Sequence, residues 1–393
     1  MNTSHQSAGI NNFYDIIVIG VGSMGSSTCY FLSQRGYKIL GLEQFDIPHE
    51  QGSHAGQSRI IRKAYFEHPA YVPLLNRAYE NWKTFEAETG NTIYHRTGLL
   101  YAGKQDQVML KGVKQSASSY NIPLENFKSA FASKRYPQFN IPAEFEILFE
   151  PDAGFVTPEK AIQLYIKEAI KKGAAIHTKE KVLEWKKEGT SVVVSTDKNI
   201  YRGNKLIITA GAWAGKMIPG LESKIKITRQ FIAWIKPKKI HDYTLDNFPC
   251  WMIADDIKPG VYYGFPSLPV ATFGGPEGLK LAHHHPGLVT DPDNVNRQTT
   301  NEDVENLKYV LNKYLPGTFD SVLTAKTCLY ANSPDEHFII DKLPGYENHV
   351  TIACGFSGHG FKFVSVIGEI LADLATEDKT SFPIEFLNAN RFA

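Results

Sequence analysis

Near its amino terminus the chain reads Tyr14-Asp15-Ile16-Ile17-Val18-Ile19-Gly20-Val21-Gly22-Ser23-Met24-Gly25. A continuous apolar run that ends in a Gly-x-Gly-x-x-Gly loop predicts a parallel strand buried on both faces. The residues from Ser23 to Arg35 have helical spacing, and Gly36 stands where that helix would end. The stretch from Lys38 to Glu43 predicts a second strand. The order strand, glycine loop, helix and strand is typical of a dinucleotide-binding fold.

The glycines of this loop have separate physical roles in such a fold. Gly20 permits the tight turn, Gly22 lets the backbone approach a pyrophosphate, and Gly25 lets the helix pack closely on the strand. The free N–H groups at the start of the helix attract the anion. At the end of the second strand, the Glu43 carboxylate can accept hydrogen bonds from a ribose diol and would repel a 2′-phosphate. This pattern disfavours NADP but does not separate FAD from NAD.

The composition excludes several classes of protein. The chain has 393 residues, with 42 Lys and Arg against 41 Asp and Glu and a net charge of +1. Nothing here provides the basic surface that nucleic acids require. Residues 1–12 are polar, and no apolar run near them could span a bilayer. We expect a soluble, cytoplasmic protein with no nucleic-acid or membrane partner.

The cysteines and histidines do not indicate a metal site. The four cysteines, Cys29, Cys250, Cys328 and Cys354, lie far apart without a Cys-x-x-Cys pair, so neither a disulfide framework nor a zinc site is expected. In the run His283-His284-His285, neighbouring side chains point to different faces and no acid is spaced for ligation. We therefore expect no metal.

The rest of the chain alternates between helical and strand patterns. Helices are predicted over Tyr71–Thr89, Thr157–Lys172, Asn301–Tyr314 and Val364–Thr376, and short strands near Val182, Val192–Val194 and Ile200. The apolar stretch from Lys205 runs into small residues at Gly211, as a second pass of chain beside a nucleotide would need. Between Lys226 and Asp320 the composition shifts towards aromatic and β-branched residues, which predicts a separate antiparallel layer for the substrate.

Three further segments carry a family resemblance. They are Gly52-Ser53-His54-Ala55-Gly56-Gln57-Ser58-Arg59-Ile60-Ile61-Arg62-Lys63-Ala64-Tyr65, then Cys328-Leu329-Tyr330 with Asn332 to Asp341, and Gly355-Phe356-Ser357-Gly358-His359-Gly360-Phe361-Lys362-Phe363. With the amino-terminal loop, they closely resemble the monomeric sarcosine oxidase and N-methyl-L-tryptophan oxidase family over nearly the whole chain. That group belongs to the flavoenzymes shaped like D-amino-acid oxidase, so the resemblance implies FAD and not a nicotinamide.

The resemblance implies roles for individual residues. The family attaches its flavin through a thioether from a cysteine two residues before a tyrosine, which matches Cys328 and Tyr330. An arginine and a lysine that hold the substrate carboxylate fall on Arg62 and Lys362, where the guanidinium can form a two-bond fork and the ammonium adds a point charge. Glu67 corresponds to a nearby acid.

The remaining matches concern the flavin ring, dioxygen and the pocket. Arg59 matches an arginine close to the isoalloxazine ring, Lys280 a lysine that assists dioxygen, and Tyr263 and His284 residues of the pocket wall. The expected catalytic residues are thus Arg59, Arg62, Tyr263, Lys280, His284, Tyr330 and Lys362. The expected FAD-binding residues are Gly20, Gly22, Ser23, Met24, Gly25, Glu43, Ser53, Ser58, Arg59, Gly211, Cys328, Gly355, Gly358, Gly360 and Lys362.

The chain departs from the family pattern in two places. Where the family often has two adjacent histidines, this chain has His54-Ala55, so the second imidazole is absent. The stretch Pro266–Gly278 is longer than in the sarcosine enzyme, and we expect it to border the pocket and affect the size of the accepted side chain.

We expect an α/β protein with a Rossmann-like FAD-binding domain, formed by residues 12–88, 155–225 and 325–393. A mostly antiparallel substrate domain is expected over residues 89–154 and 226–324. The predicted activity is the oxidation of an N-methyl amino acid by dioxygen, giving the primary amino acid, formaldehyde and hydrogen peroxide, in a monomeric enzyme. The alternatives are oxidation of a cyclic imino acid such as pipecolate, an NAD-linked dehydrogenase, and a flavin-holding protein without turnover.

Overall fold

The structure is a computed structural model that describes residues 12–392. Its helices are α1 Ser23–Gln34, α2 Val72–Thr89, α3 Val108–Tyr120, α4 Ser129–Arg135, α5 Pro158–Lys171, α6 Ala214–Met217, α7 Val270–Phe273, α8 Asn301–Tyr314 and α9 Val364–Thr376. Its strands are β1 Phe13–Ile19, β2 Ile39–Leu42, β3 Arg59–Ile61, β4 Tyr94–Arg96, β5 Leu99–Gly103, β6 Glu125–Phe127, β7 Glu146–Glu150, β8 Gly154–Val156, β9 Ala175–His177, β10 Val182–Glu188, β11 Ser191–Thr196, β12 Ile200–Ile208, β13 Lys226–Pro237, β14 Cys250–Ala254, β15 Val261–Gly264, β16 Leu279–His284, β17 Leu288–Val289, β18 Phe319–Asn332, β19 Ile339–Lys342 and β20 Val350–Cys354.

The first sheet has a parallel centre built on the amino-terminal strand. β1 pairs in parallel with β2 on one side and with β12 on the other, and β12 also pairs in parallel with β20. Strands β10, β11 and β19 extend this sheet with antiparallel pairings. Helix α1 contacts both α5 and α9 beside this sheet. Ile16 to Ile19 are all buried, as expected of a central strand covered on both faces.

The second sheet is mostly antiparallel. It runs in the order β17-β13-β16-β15-β14-β5-β7-β6, and β18 pairs with β13 along nearly its whole length. Only the pair of β14 with β5 is parallel among the pairings of this sheet within residues 12–392. A small sheet, β3-β8-β4, contributes three further strands. The predicted fold class, a Rossmann-like α/β unit with a mostly antiparallel second sheet, is confirmed.

The predicted elements differ from the observed ones mainly in detail. The helices predicted over Asn301–Tyr314 and Val364–Thr376 form with those bounds. The two strands predicted near Ile200 and from Lys205 are one strand, β12, because its residues pair continuously with β11 and then with β1. Among the helices of residues 12–392, none has the length and apolar character that crossing a bilayer requires. Residues 1–11 of the polar amino terminus lie outside the residues that the structure describes.

Candidate active site

One long cavity connects the glycine loop to the buried arginine and lysine. Its volume, including the open mouth, is about 1770 Å³. The predicted site residues that line it are Gly20, Gly22, Ser23, Met24, Glu43, Ser53, Arg59, Arg62, Glu67, Gly211, Tyr263, His284, Cys328, Tyr330, Gly355, Gly358, Gly360 and Lys362. The chain thus brings together, in one continuous space, residues that are more than 300 positions apart in the sequence.

The glycine loop is packed too tightly for larger residues at two positions. Gly20 has φ +87°, and a Cβ there would lie 2.6 Å from the Thr209 carbonyl oxygen. A Cβ on Gly25 would lie 2.0 Å from the Gly20 carbonyl oxygen. Gly25 therefore sets the close approach of α1 to β1 and does not itself line the cavity.

Glu43 stands at the cavity wall, just after β2. Its carboxylate accepts hydrogen bonds from the backbone N–H groups of Val21 and Phe45, both at 3.0 Å. Burial raises the pKa of Glu43 to about 7, although these amides oppose the shift. His49 Nε2 lies 3.7 Å from the same carboxylate.

A buried polar atom in this part of the cavity has no protein partner. The side chain of His54 is almost completely buried, and its Nε2 makes no hydrogen bond within the described residues. Buried polar groups are normally paired, so a free imidazole nitrogen on a cavity wall indicates a polar ligand at that position. Together with the glycine loop and the Glu43 carboxylate, this nitrogen fits the polar groups of a dinucleotide.

β18 brings Cys328 and Tyr330 to the cavity. The Cys328 thiol is buried, and burial raises its pKa while the charges of Arg59 and Lys280 oppose the shift. The Tyr330 hydroxyl lies 3.2 Å from His284 Nδ1. A Cβ on Gly358 would lie 2.3 Å from the Tyr330 ring, so glycine is required where that loop crosses the ring.

The Arg59 side chain forms hydrogen bonds with the backbone of the loop that precedes β3. Its guanidinium donates to the carbonyl oxygens of Ser53 at 2.9 Å, Ala55 at 2.7 Å and Ser58 at 2.9 Å. A planar fork with several donors suits such a set of acceptors. Arg59 therefore fixes the path of the backbone beside the cavity and adds a positive charge there.

Arg62 is buried and already has an acidic partner. Its Nη2 donates to both oxygens of Glu67 at 2.7 Å, and its Nη1 donates to the Ala64 carbonyl oxygen at 3.1 Å. The rings of Tyr65 and Phe66 lie 4.3 and 4.4 Å from the guanidinium carbon. Burial raises the pKa of Glu67, but the charge of Arg62 outweighs it and brings the pKa to about 2. The pair is therefore ionised.

Lys362 faces the same end of the cavity. Its ammonium donates to the His359 carbonyl oxygen at 2.7 Å and lies 5.1 Å from the centre of the Tyr65 ring. Burial and the charge of Arg62 lower the pKa of Lys362 to about 7, and the Glu67 charge opposes them. Two basic groups and one carboxylate therefore share this end, which leaves it with excess positive charge when Lys362 is protonated.

Lys280 and Ser58 lie behind the wall of the cavity. Lys280 Nζ donates to the carbonyl oxygens of Gly56 and Ser58, both at 2.5 Å, and lies 3.2 Å from Ser58 Oγ. The Phe265 ring is 4.5 Å away. Neither Lys280 nor Ser58 is among the residues that line the cavity. Gly56 and Gln57 do not line the cavity either, so this ammonium binds a turn that lies outside the lining of the main space.

The stretch 266–278 does not border the cavity as expected. None of its residues lines that space. It forms α7, and its Phe273 ring packs on His95 at 4.8 Å and on Phe155 at 5.9 Å. The stretch contacts the loop 56–58 instead, because Gln57 Nε2 donates to the Gly274 carbonyl oxygen at 2.9 Å.

The three consecutive histidines have separate environments. The His283 ring stacks on Tyr262 at 3.9 Å, whereas His284 faces Tyr330. Burial lowers the pKa of His284 to about 4, so its imidazole is neutral at ordinary pH. No group of three or more His, Cys, Asp or Glu side chains in residues 12–392 is arranged to hold a metal ion.

The sequence did not single out every residue of the cavity. Met252 from β14, His49, Phe66 and His359 also line it. His359 lies within the quoted glycine-rich segment, so the sequence could have named it. In the structure, its Nδ1 lies 2.6 Å from the Tyr65 hydroxyl. Met252 carried no such signal, because an apolar residue in a buried strand has the appearance of core.

A dinucleotide-binding sheet, an antiparallel sheet and one cavity that joins a glycine loop to a cationic pocket define a flavin-dependent oxidoreductase. The sequence pattern of the FAD dependent oxidoreductase family matches residues 15–374, and the chain belongs to this family. This membership supports FAD as the cofactor, so the NAD-linked alternative is not retained.

Curated relatives agree over almost the whole length. Monomeric sarcosine oxidase of Streptomyces avermitilis is 38% identical over 382 residues, which are 97% of this chain and 98% of the relative. N-methyl-L-tryptophan oxidase of Citrobacter koseri is 34% identical over 383 residues, 96% of this chain and 99% of the relative. The resemblance identified from the motifs is therefore confirmed.

A solved structure shows the same fold. NikD, described as an unusual amino acid oxidase essential for nikkomycin biosynthesis, matches with a TM-score of 0.83 and 23% identity over 96% of this chain and 97% of its own. At this level of identity the match establishes the fold alone.

Proposed function

We propose that this protein is an FAD-dependent oxidase of N-methyl amino acids, of the sarcosine or N-methyl-L-tryptophan type. The observation that carries the proposal is that Arg62 and Lys362 share one cavity with the glycine loop and the Cys328 thiol. The relatives, 34–38% identical, support this substrate class. The reaction would convert an N-methyl amino acid, dioxygen and water into the primary amino acid, formaldehyde and hydrogen peroxide.

The residues proposed to hold FAD lie along the cavity from the glycine loop to β18. The start of α1 and the loop Gly20–Gly25 would hold the pyrophosphate, and Glu43 the ribose. Gly355, Gly358 and Gly360 bring backbone close to the far end, just before α9. When bound, FAD supplies the acceptor for a hydride from the substrate and the source of electrons for dioxygen.

Arg62 and Lys362 would bind the substrate carboxylate and so fix the orientation of the reacting carbon. Arg62 already shares one of its terminal nitrogens with Glu67, so the substrate would bind to an arginine whose position is fixed. Removal of a hydride requires a neutral amine, because its lone pair stabilises the positive charge that develops. Two nearby cations disfavour a protonated amine by like-charge repulsion.

His284, Tyr263 and Tyr330 would line the space beside the amine. The neutral imidazole of His284 adds no positive charge there. Its contact with the Tyr330 hydroxyl holds both side chains in place on β16 and β18, two strands that each pair with β13. These three residues therefore define the shape of the pocket while the two cations supply its charge.

Lys280 would assist the reduction of dioxygen by electrostatic attraction. An ammonium group placed in advance stabilises negative charge as it develops on oxygen, without reorganisation of solvent. Arg59, whose guanidinium binds the same loop, adds to this positive field.

We further propose that Cys328 attaches FAD through a thioether to its 8α methyl carbon. The buried thiol lines the cavity, and although burial raises its pKa, the charges of Arg59 and Lys280 oppose that rise. The thiol proton and one methyl hydrogen leave as the bond forms, and dioxygen takes up the two electrons. Acid precipitation of the purified protein tests this directly: the yellow chromophore should stay with the pellet, and its complete release into the supernatant would disprove the attachment.

The substrate class is tested by peroxide release with sarcosine, N-methyl-L-tryptophan and pipecolate. The proposal expects peroxide together with an equal amount of formaldehyde from an N-methyl amino acid. Peroxide from pipecolate alone, without formaldehyde, would assign the cyclic imino acid reaction instead. If the protein binds flavin but turns over no carboxylated amine, it would be a flavin-binding protein without catalytic activity.

We also propose the division into an FAD-binding unit, residues 12–88, 155–225 and 325–393, and a substrate unit, residues 89–154 and 226–324. The strands of the first sheet all fall within the former, and those of the second sheet within the latter except for residues 325–332, the larger part of β18. We propose that the enzyme acts as a cytoplasmic monomer, in keeping with the name of its sarcosine-oxidising relatives. Light scattering of the purified protein tests the monomer.

A further inference from the structure

The segment Gly56-Gln57-Ser58 forms a strained three-residue turn. The Ser58 N–H donates to the Gly56 carbonyl oxygen at 2.7 Å, and Gln57 has φ 67°. A turn closed between residues two apart, with a positive φ at a central residue other than glycine, is rare and strained. Such strain persists only where surrounding contacts hold it in place.

The Glu159 carboxylate binds the backbone amides of this turn. Its carboxylate, in the first turn of α5, accepts from the Gly56 N–H at 2.7 Å and from the Gln57 N–H at 3.1 and 3.2 Å. The Gln57 side chain makes two further hydrogen bonds, both at 2.9 Å. It accepts one from Trp234 Nε1 and donates one to the Gly274 carbonyl oxygen. The turn is therefore fixed from several elements.

Lys280 binds the same turn from the side opposite Glu159. The peptide group between Gly56 and Gln57 presents its N–H to the Glu159 carboxylate and its C=O to the Lys280 ammonium. An anion and a cation at the two ends of one peptide group polarise it in the same direction and strengthen both hydrogen bonds. Glu159 and Lys280 are thus coupled through a single peptide.

Glu159 also supplies a negative charge that acts on the Lys280 ammonium. Burial and the charge of Arg59 lower the pKa of Lys280, whereas Glu159 and the thiols of Cys328 and Cys250 raise it. The two thiols are themselves buried, and burial raises their own pKa values, so they are neutral at ordinary pH. Glu159 is therefore the carboxylate that favours the ammonium form.

We propose that Glu159 is a positioning residue for the oxygen reaction: it holds the turn 56–58 in its strained form, keeps Lys280 in place through that turn and favours its ammonium form. This inference rests on the proposed role of Lys280 towards dioxygen. It predicts that Glu159 matters for the step that consumes dioxygen and not for the step that consumes the amino acid.

The experiment measures the two steps separately in the flavin-containing wild-type protein and in E159Q, E159A, K280M and E302Q. Photoreduction without oxygen prepares the reduced protein, so the oxygen step is measured even if the amino-acid substrate is unknown. Rapid mixing with dioxygen then gives the reoxidation rate between about pH 6 and pH 10. E302Q is the matched control, because Glu302 is also in the first turn of a helix, α8, but is exposed and is not among the charges that act on Lys280.

E159Q keeps an oxygen acceptor for the two amides but loses the charge. We expect it to reoxidise at least about tenfold more slowly than wild type at pH 8, and the basic limb of its pH profile to move at least about one pH unit lower. Reduction by an N-methyl amino acid should stay within about twofold of wild type, and E302Q should behave as wild type throughout. In E159A, hydrogen exchange of the Gly56 and Gln57 amides should also accelerate, independently of any activity.

Three results would overturn the proposal. The first is a reoxidation rate and pH profile of E159Q equal to those of E302Q; the second is an equal loss in both steps, which would indicate a general disturbance. The third is unchanged reoxidation of K280M, which would remove the underlying role of Lys280 even if N-methyl amino acids reduce the protein. If E159Q does not fold, E159D serves instead: it retains the charge and should keep the wild-type basic limb, and a limb shifted in E159D would count against the proposal.

Discussion

At the scale of single residues, the charges of the pocket are largely compensated within the protein. Arg62 pairs with Glu67 through both carboxylate oxygens, while Lys362 has only a carbonyl acceptor among the hydrogen bonds of the described residues. A buried charge that loses its partner is costly. The Arg62–Glu67 pair is therefore a fixed part of the pocket, and Lys362 is the group that responds to an arriving anion.

We expect R62K to lower kcat/KM for the N-methyl substrate by about 100-fold, equivalent to about 3 kcal/mol, because lysine keeps the charge but lacks the set of donors that binds Glu67, the Ala64 carbonyl oxygen and a substrate carboxylate together. Initial-rate kinetics with peroxide detection provide the measurement. R96K is the matched control, since the Arg96 side chain is 62% exposed and pairs with Asp152 at the surface. A kcat/KM of R62K equal to that of R96K would contradict the assigned role.

The affinity for a simple carboxylate should depend on pH through Lys362. Its pKa of about 7 in the free protein means that the ammonium is present below pH 7 and is lost above it. A bound carboxylate favours the ammonium, so binding of acetate, followed by the flavin spectrum, should weaken about tenfold per pH unit above pH 7. Glu67 and His284, with pKa values of about 2 and 4, do not titrate in this range.

K362M provides the test of that assignment. It should bind acetate more weakly than wild type below pH 7, and its affinity should no longer change between about pH 6 and pH 9. K172M, at an exposed lysine of the C-cap of α5, should retain the wild-type profile. Persistence of the pH dependence in K362M would assign the titration to another group.

The sequence predicted which residues meet but not how they are bonded. Cys328, Tyr330, Arg62 and Lys362 are recognisable because short motifs surround them, and all four line the cavity. The contact of Arg62 with Glu67 and the hydrogen bonds of Lys280 to the loop 56–58 depend on rotamers and on strand packing between distant segments. No local pattern encodes such contacts, so the structure was needed to find them.

At the scale of elements, long apolar or amphipathic runs were predicted well and short strands poorly. β1, α8 and α9 have the continuous periodicity of buried or half-buried elements. By contrast, β6 has three residues and β17 two, and their strand form depends on pairing with β7 and β13. For such short strands, tertiary context determines the conformation more than local preference does.

The stretch 266–278 gives a prediction at this scale. Since Phe273 packs on His95 and Phe155 outside the cavity, F273A should lower the free energy of unfolding by about 2 kcal/mol. It should leave the ratio of kcat/KM values for sarcosine and N-methyl-L-tryptophan unchanged. Denaturant unfolding and a two-substrate assay measure these effects.

V270A is the control within the same helix, α7. Val270 is 49% exposed, so its truncation should change stability by less than about 0.5 kcal/mol. A change of substrate preference in F273A but not in V270A would show that the stretch reaches the pocket after all and would restore the expectation drawn from its length.

At the scale of the whole molecule, the cavity lies where the two large sheets meet. It is lined by residues of the first sheet such as Ile19 and Leu42, and by residues of the second such as Met252 and Tyr263. A ligand in this space contacts both sheets at once. Binding to the folded state alone stabilises it by mass action.

Removal of FAD should therefore destabilise the whole protein. We expect C328S to release its flavin on denaturation and to yield apoprotein that unfolds at a lower temperature than the holoprotein. Added FAD at about 100 times its Kd should restore about 2.7 kcal/mol. Tryptophan fluorescence during heating measures the shift, and C29S, which alters a buried cysteine within α1, distinguishes loss of FAD from loss of a thiol. An apoprotein as stable as the holoprotein would contradict a cofactor between the sheets.

β18 has a consequence for how this enzyme could change during evolution. Cys328 and Tyr330 are alternate residues of one strand, so their side chains emerge on the same side of the sheet. A slip of that strand by one position along β13 would turn both side chains away together. The strand therefore fixes the distance between these two side chains. Selection could replace either side chain by itself, but it could not change the spacing between them without rebuilding the strand.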